Sequence, residues 1–134
     1  IMPTSYYTAN NWWLDSIGST LIASAENGPI FSFSPVGGYQ NLSILTGAPR
    51  ASAGSFVAMP SGQIMAWGTC DNINPVQDPL YIRWSDSTDP NNWTIGGQSA
   101  AGYYTIPTGS KIVRGIQAPN QQFWFTDIDV YSAQ

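Results

Sequence analysis

The stretch Leu80-Tyr81-Ile82-Arg83-Trp84-Ser85-Asp86-Ser87-Thr88-Asp89-Pro90-Asn91-Asn92-Trp93-Thr94-Ile95 decides the fold. Its first half alternates, with Tyr81, Arg83 and Ser85 on one face and Leu80, Ile82 and Trp84 on the other. Period-two alternation of aromatic and β-branched residues marks a half-buried strand. Residues 86–92 supply a turn, because Asp, Ser and Asn side chains compete for local backbone hydrogen bonds and Pro90 fixes one φ angle. Trp93, Thr94 and Ile95 resume an extended, apolar pattern. The reading is a strand, a polar turn and a returning strand. Trp84 and Trp93 are expected to pack together, or on one shared neighbour, in the sheet interior. A weaker copy lies 51 residues upstream: Phe31 answers Ile82, Phe33 answers Trp84 and Ser34 answers Ser85. Without a gap, Asn41, Leu42 and Ile44 then answer Asn92, Trp93 and Ile95.

Outward from this hairpin the strands fall into sets, and no helix is expected. The first set comprises residues 12–17, 19–24, 29–34 and 42–45. Glu26-Asn27-Gly28 is its hairpin signal, since Asn-Gly readily supplies positive φ; Gly37-Gly38 turns the chain again and Gly47-Ala48-Pro49 breaks it off. The second set is 56–59, 63–67, 80–85 and 93–95, with 103–106 as a candidate extension of the last strand. The third is 111–117, 122–126 and 128–132. Trp13-Leu14 matches Phe56-Val57, and Leu21-Ile22 matches Ile64-Met65, both at a shift of 43. Ala58-Met59-Pro60-Ser61 matches Gln117-Ala118-Pro119-Asn120 at a shift of 59. The second set is thus the longer between its middle strands, and the extra length is residues 69–79. Repeats of roughly 40 to 60 residues, each a four-stranded meander, are the signature of propeller blades. The expected fold is therefore all-β: β-propeller-like repeated four-stranded antiparallel meanders, about two and a half blades, in one domain. Its repeat units are 11–47, 54–106 and 110–134, and a plain β-sandwich is the alternative. Rings need at least about four blades, so the expectation is a fragment or one part of a multi-chain assembly.

Composition removes several function classes. Charged residues are 9% of the chain, against a usual share of about a quarter, and six tryptophans join 13 glycines and 10 prolines. That balance suits short strands and tight turns rather than disorder. A net charge of −4 argues against gripping nucleic acid through its phosphates. The single cysteine, Cys70, excludes an intrachain disulfide framework. No apolar run approaches the roughly 18 residues of a membrane span. Ile1-Met2-Pro3 has no signal-peptide pattern and no normal initiator, which reads as a processed product or fragment. With no histidine, the Ser-His-Asp and Cys-His systems and the usual zinc mixtures are gone. A carboxylate pair of the glycosidase kind remains the one catalytic route. Its candidates are Asp15, Glu26, Asp71, Asp78, Asp86, Asp89, Asp127 and Asp129, and nearly all fall in turns, where Asp is expected for backbone reasons. The expectation is a non-enzymatic protein without cofactor or metal.

Other polar groups have bland readings that are preferred. Asp71, Asn72, Asn74 and Asp78 could offer oxygens to calcium, but they lack the EF-hand glycine and closing glutamate. Asn41-Leu42-Ser43 and Asn92-Trp93-Thr94 fit the glycan-acceptor pattern, with turn closure as the simpler role. Arg83 is expected to bond Asp86 or Asp89, or to stack on a ring. Residues 69–79 carry Cys70, Asp71, Ile73, Asn74 and Val76. They are expected to form a subunit-contact loop, with Ile73 or Val76 buried against a neighbour.

Two resemblances follow. Ser87-Thr88-Asp89-Pro90-Asn91-Asn92-Trp93 resembles the Asp-box of sialidase-type propellers, one residue short and with Asn91 where that hairpin has glycine. The motif is structural in that family, and three arginines on separate segments do not form its arginine cluster. More extensively, residues 81–94 are similar to a hairpin of the propeller-type packaged-DNA stabilisation and tail-hub proteins of short-tailed phages. Residues 106–116, Ile-Pro-Thr-Gly-Ser-Lys-Ile-Val-Arg-Gly-Ile, continue in the same register. Arg83, Trp84, Asp86, Asp89 and Trp93 carry the hairpin motif. The family's chains are much longer, which fits a fragment. The resemblance implies a structural virion protein of a tailed phage, part of a tail hub or portal-proximal channel that seals and stabilises packaged DNA. It implies a homo-oligomeric ring contacting portal, adaptor or tail subunits, with only non-specific proximity to DNA. The acidic balance is compatible with a channel part that does not hold passing DNA. The alternative is a carbohydrate-binding module, in which Trp12-Trp13 and Tyr6-Tyr7 would offer rings to sugars.

Overall fold

A computed structural model describes residues 11–34, 43–59, 61–71 and 76–133, and no helix occurs among them. Among these described residues eleven strands follow in chain order: β1 Trp12–Ile17, β2 Thr20–Ala25, β3 Ile30–Phe33, β4 Ser43–Ile44, β5 Gly54–Ala58, β6 Gln63–Trp67, β7 Tyr81–Trp84, β8 Gly102–Thr105, β9 Ile112–Ala118, β10 Gln121–Thr126 and β11 Val130–Ala133. They form three antiparallel sheets in the orders β1-β2-β3-β4, β5-β6-β7-β8 and β11-β10-β9, each an unbroken meander. The chain is all-β, built of repeated meanders. Tight turns join the first strands as the residue types require: Gly18 takes φ +58° between β1 and β2, and Asn27 takes φ +60° in the Glu26-Asn27-Gly28 turn. Gly37-Gly38, Asn41 and Leu42 of the first repeat lie outside the described residues.

The sheets stack face on face, with the second in the middle. One face of each sheet is called the front and the other the back, so that every junction joins a back to a front. At the first junction Ile22 and Ile30 of sheet one meet Val57, Ile64 and Ala66 of sheet two, with Ala48 and Trp93 filling in. At the second, Phe56, Met65, Trp67 and Ile82 from the back of sheet two meet Ile112 and Trp124 of sheet three. Burying a large apolar side chain is worth about 1.5–3 kcal/mol, and these two clusters hold most of the core.

The second junction is built on three cross-strand tryptophan–glycine pairs. Trp67 stands opposite Gly54, Trp84 opposite Gly102 and Trp124 opposite Gly115. A Cβ on those glycines would lie 2.2 Å from Trp67, 2.6 Å from Trp84 and 3.0 Å from Trp124. Each indole lies down over the strand beside it, which a side chain on that strand would prevent. Phe56 adds tilted ring contacts with Trp67 at 6.2 Å and with Trp124 at 6.0 Å, and Trp13 meets Trp67 edge-on at 5.0 Å.

The first strands of the three sheets run beside one another, and β5, an edge strand, lies between β1 and β9. No backbone ladder joins them; side chains do the bonding. Asp15 Oδ2 accepts the Val57 N–H at 2.8 Å, and Trp13 Nε1 donates to the Ala53 carbonyl at 3.1 Å. From the other side, Gln117 Oε1 accepts the Met59 N–H at 3.0 Å and its Nε2 donates to the Met59 carbonyl at 3.1 Å. An edge that would otherwise invite strand pairing is thus satisfied within the chain.

The registers correct the repeat alignment at two places. Trp13 pairs with Ser24 and Gly54 with Trp67, so with Leu21-Ile22 matched to Ile64-Met65 the counterpart of Trp13 is Gly54, at a shift of 41, rather than Phe56. Ser24 pairs with Ile30, and Trp67 pairs with Ile82. With Leu21-Ile22 matched to Ile64-Met65, Ser24 matches Trp67, so Ile30, 52 positions earlier, is the counterpart of Ile82. The shift of 51 chose Phe31, which lies on the opposite face against Ala23 and Ala25. A slip of one residue reverses every side chain in a strand. The fourth strand of the second sheet is also not where the hairpin reading put it. It is β8, while residues 93–95 sit in an irregular connection. Ser85 ends the strand: its N–H donates to the Ile64 carbonyl and its hydroxyl accepts the Ile64 N–H. Burial of Trp93 then wins over a three-residue strand pattern. Trp84 and Trp93 consequently do not share a neighbour cluster. Trp84 packs, half-buried, on the back of sheet two, whereas Trp93 is 1% exposed at the first junction.

Candidate functional site

The hairpin residues form a structural knot. Arg83, 3% exposed, projects from the front of β7 and donates from Nη2 to the Trp93 carbonyl at 2.7 Å and from Nη1 to the Cys70 carbonyl at 3.5 Å. Its guanidinium lies 6.0 Å from the Trp93 ring centroid. The ring contact fits the expectation; the bonds differ from it, since they run to main-chain oxygens and not to Asp86 or Asp89. Those carboxylates serve the loop itself. Asp86 accepts the Ala100 N–H at 2.8 Å and the Thr88 hydroxyl at 2.6 Å, and Asp89 accepts the Asn91 N–H at 3.0 Å. Asn91 Oδ1 accepts the Gly47 N–H at 2.7 Å, tying the turn to the segment between sheets one and two. Asn92 Oδ1 accepts the Thr94 N–H at 3.1 Å, the turn-closing role preferred above for this acceptor-pattern residue.

Of residues 69–79, Ile73 and Asn74 lie outside the described residues, as does Asn72. Cys70 is 2% exposed and points inward, its thiol 3.8 Å from the Ala51 carbonyl, so it belongs to the chain's own interior. Thr69 is fully buried and bonds Ser52 and Ala51. Asp71 is half-buried, and Val76 is 71% exposed. The ends of the loop are pinned, with the Asp78 N–H on the Thr69 carbonyl and Gln77 Nε2 on the Gly68 carbonyl.

A recess of about 490 Å³ opens where the three sheets converge at the start of β1, β5 and β9. Trp13 and Trp67 form one wall, and Glu26, Asn27, Gln77 and Lys111 bring polar groups. Glu26 is held by the Asn11 amide at 2.8 Å, and the Arg114 guanidinium covers the Trp13 ring at 5.1 Å. The Trp13 face is therefore not open to stack on a sugar. Tyr6 and Tyr7, the other pair of that reading, lie outside the described residues. No family model, curated protein or solved structure matches this chain. Among the described residues no group of three or more His, Cys, Asp or Glu could hold a metal ion, and no helix is long and apolar enough to cross a membrane.

The carboxylates act on the backbone one by one. Asp15 bonds Val57 and Ser16, Asp78 bonds Leu80, and Asp127 accepts both the N–H and the hydroxyl of Ser110. Asp129 accepts the Thr108 hydroxyl at 2.9 Å, and Thr108 also bonds the Tyr131 hydroxyl. The Thr88 hydroxyl and Ala100 N–H hold Asp86 below its ordinary value of 3.8, and the Ser110 hydroxyl and N–H do the same for Asp127. A carboxylate with a depressed folded-state pKa contributes stability that is present above its unfolded value and lost as pH falls through the folded one. Urea midpoints should therefore be level above about pH 5 and fall below about pH 4. The double variant Asp86→Asn, Asp127→Asn should show a shallower decline; an unchanged slope would remove these two groups as the cause.

Sequence reasoning missed Asp15 and Gln117 as the side chains that close the β5 edge. Asp15 did leave a trace: it shares the inward face of β1 with Trp13 and Ile17, where a carboxylate needs a donor opposite.

Proposed function

We propose that this chain is a structural, non-enzymatic part of a tailed-phage virion, a tail-hub or portal-proximal component that helps seal and stabilise packaged DNA. The hairpin resemblance supplies the virion setting. The observation that supports an assembling role is that exposed apolar side chains stand on the outward face of each outer sheet. On the front of sheet one, Trp12 is 47% exposed, Leu14 66% and Ile44 44%. On the back of sheet three, Phe125 is 37% exposed and Val130 57%. Contiguous exposed apolar faces mark interaction surfaces. Asp15, Asp78, Asp86, Asp89, Asp127 and Asp129 are each occupied with a backbone or hydroxyl donor, which favours a scaffold over chemistry.

The test is genetic and compositional. Particles of the source phage lacking this coding sequence should fill with DNA and then lose it, and the polypeptide should be found by mass spectrometry in purified wild-type virions. Infectious, DNA-retaining particles without the polypeptide would refute the proposal.

A further inference from the structure

We propose that the turn between β2 and β3 carries a latent site of self-modification, Asn27-Gly28, which the fold holds closed with the help of Gln77. It is the one Asn-Gly step in the sequence. Such a step is the most reactive setting for an asparagine carboxamide, because glycine puts no side chain in the way of ring closure. The Gly28 nitrogen gives up its proton and attacks Cγ of Asn27. A C–N bond forms, the Cγ–Nδ2 bond breaks and ammonia leaves, which yields a five-membered succinimide. One water molecule then opens the ring at either carbonyl. The product is aspartate, or isoaspartate with one extra methylene in the main chain. Nothing is oxidised or reduced, and solvent is the only co-reactant.

The residue is presented for this reaction and restrained from it at once. Asn27 is exposed, with φ +60°, on the rim of the recess where the three sheets converge. Gly28 is buried, and its N–H donates to the Ala25 carbonyl at 2.9 Å. The attack consumes that N–H, so this bond must be given up first. The carboxamide is held as well. Asn27 Oδ1 accepts Gln77 Nε2 at 3.2 Å, and the same Nε2 is anchored on the Gly68 carbonyl at 2.9 Å. The main chain on either side is stitched to the segment leading into β5. The Asn27 N–H donates to the Ser52 carbonyl at 2.8 Å, and the Ser52 N–H donates to the Gly28 carbonyl at 3.1 Å. Ring closure therefore waits for a local opening of the turn, and its rate follows the population of the open form.

Conversion changes the end of the molecule where it occurs. The two bonds to Ser52 span Asn27 and Gly28, and the extra methylene of isoaspartate puts that N–H and that carbonyl out of step. Either product also places a second carboxylate beside Glu26 on the recess rim.

Peptide mapping by mass spectrometry, with isoaspartate read by enzymatic methylation, follows the reaction on the purified chain at mildly alkaline pH. The folded chain should convert at least about ten-fold more slowly than the chain unfolded in guanidinium chloride, because only opened turns react. Folded Gln77→Ala should convert about five-fold faster than folded wild type, the factor that one lost hydrogen bond is worth, and at the wild-type rate once unfolded. In wild type the rate should also rise with guanidinium below the unfolding midpoint, a measurement that stands even if Gln77→Ala folds poorly. Equal rates in the folded and unfolded chain, or a rate flat in guanidinium, would overturn the closed site. A natively folded Gln77→Ala that converts no faster would overturn the part given to Gln77. Conversion that persists in Asn27→Gln would put the reaction at another asparagine and sink the assignment.

Discussion

Gly54→Ala is expected to destabilise the chain by about 3 kcal/mol, the upper range for overpacking a tight core. The added methyl would sit 2.2 Å from Cζ2 and 2.6 Å from Cη2 of Trp67, so the indole must leave its place. It has nowhere to go. Trp67 is 1% exposed, with Trp13 edge-on at 5.0 Å and Phe56 tilted against it at 6.2 Å. Displacing it disturbs the first strands of two sheets at once, because Trp13 also bonds the Ala53 carbonyl beside Gly54. Gly18→Ala provides the contrast. That residue has φ +58° with nothing within 4 Å of its would-be Cβ, so only the left-handed backbone penalty of about 1 kcal/mol applies. Urea denaturation of both variants measures the difference. A loss under about 1 kcal/mol for Gly54→Ala would show that the indole can swing aside, and that the tryptophan–glycine pairs do not fix the second junction.

Those pairs also mark the limit of what the sequence reveals. Strand positions were legible wherever alternation ran for four residues or more between glycine, asparagine or proline breaks: β1, β2, β6, β7 and β10 lie within a residue or two of the expected bounds. The division into three meanders was legible from the same rhythm. Pairings were not. Gly54, Gly102 and Gly115 read as ordinary punctuation until the register places a tryptophan opposite each. The shift of 51 failed for a related reason. Phe31 looks more like a partner for Ile82 than Ile30 does only if the face is ignored, and the face depends on hydrogen bonding to β2, a longer-range fact. Trp93 misled through its type: an aromatic beside Thr and Ile suggests a strand. Yet the positive φ of Gly96 and Gly97 and the Asx turn at Asn92 hold it in a loop. The edge closure by Asp15 and Gln117 depends on sheets meeting that are distant in sequence, and local pattern does not encode it.

Trp93 and Arg83 should behave as one unit. Trp93 fills the first junction among Ile22, Ile30, Val57 and Ile64, and its removal in Trp93→Ala should cost about 3–5 kcal/mol. Trp84→Ala should cost clearly less, because Trp84 is only half-buried on the other face. Arg83→Met keeps the aliphatic bulk but leaves the buried carbonyls of Trp93 and Cys70 without their donors. Unsatisfied buried groups cost about 1–3 kcal/mol each, so a loss of about 3 kcal/mol is expected. The two effects are not independent. The indole pins the loop that carries the carbonyl, while the guanidinium holds that carbonyl and lies against the ring. Once Trp93 is alanine, the loop is free to turn the carbonyl toward water, and losing Arg83 then matters less. The double variant should therefore lose less than the sum of the singles, by about 1–2 kcal/mol. Denaturation midpoints of wild type, both singles and the double variant measure this coupling. Strict additivity would mean that the loop is held elsewhere, with the Asp86 bonds to Ala100 and Thr88 as the next anchor to remove.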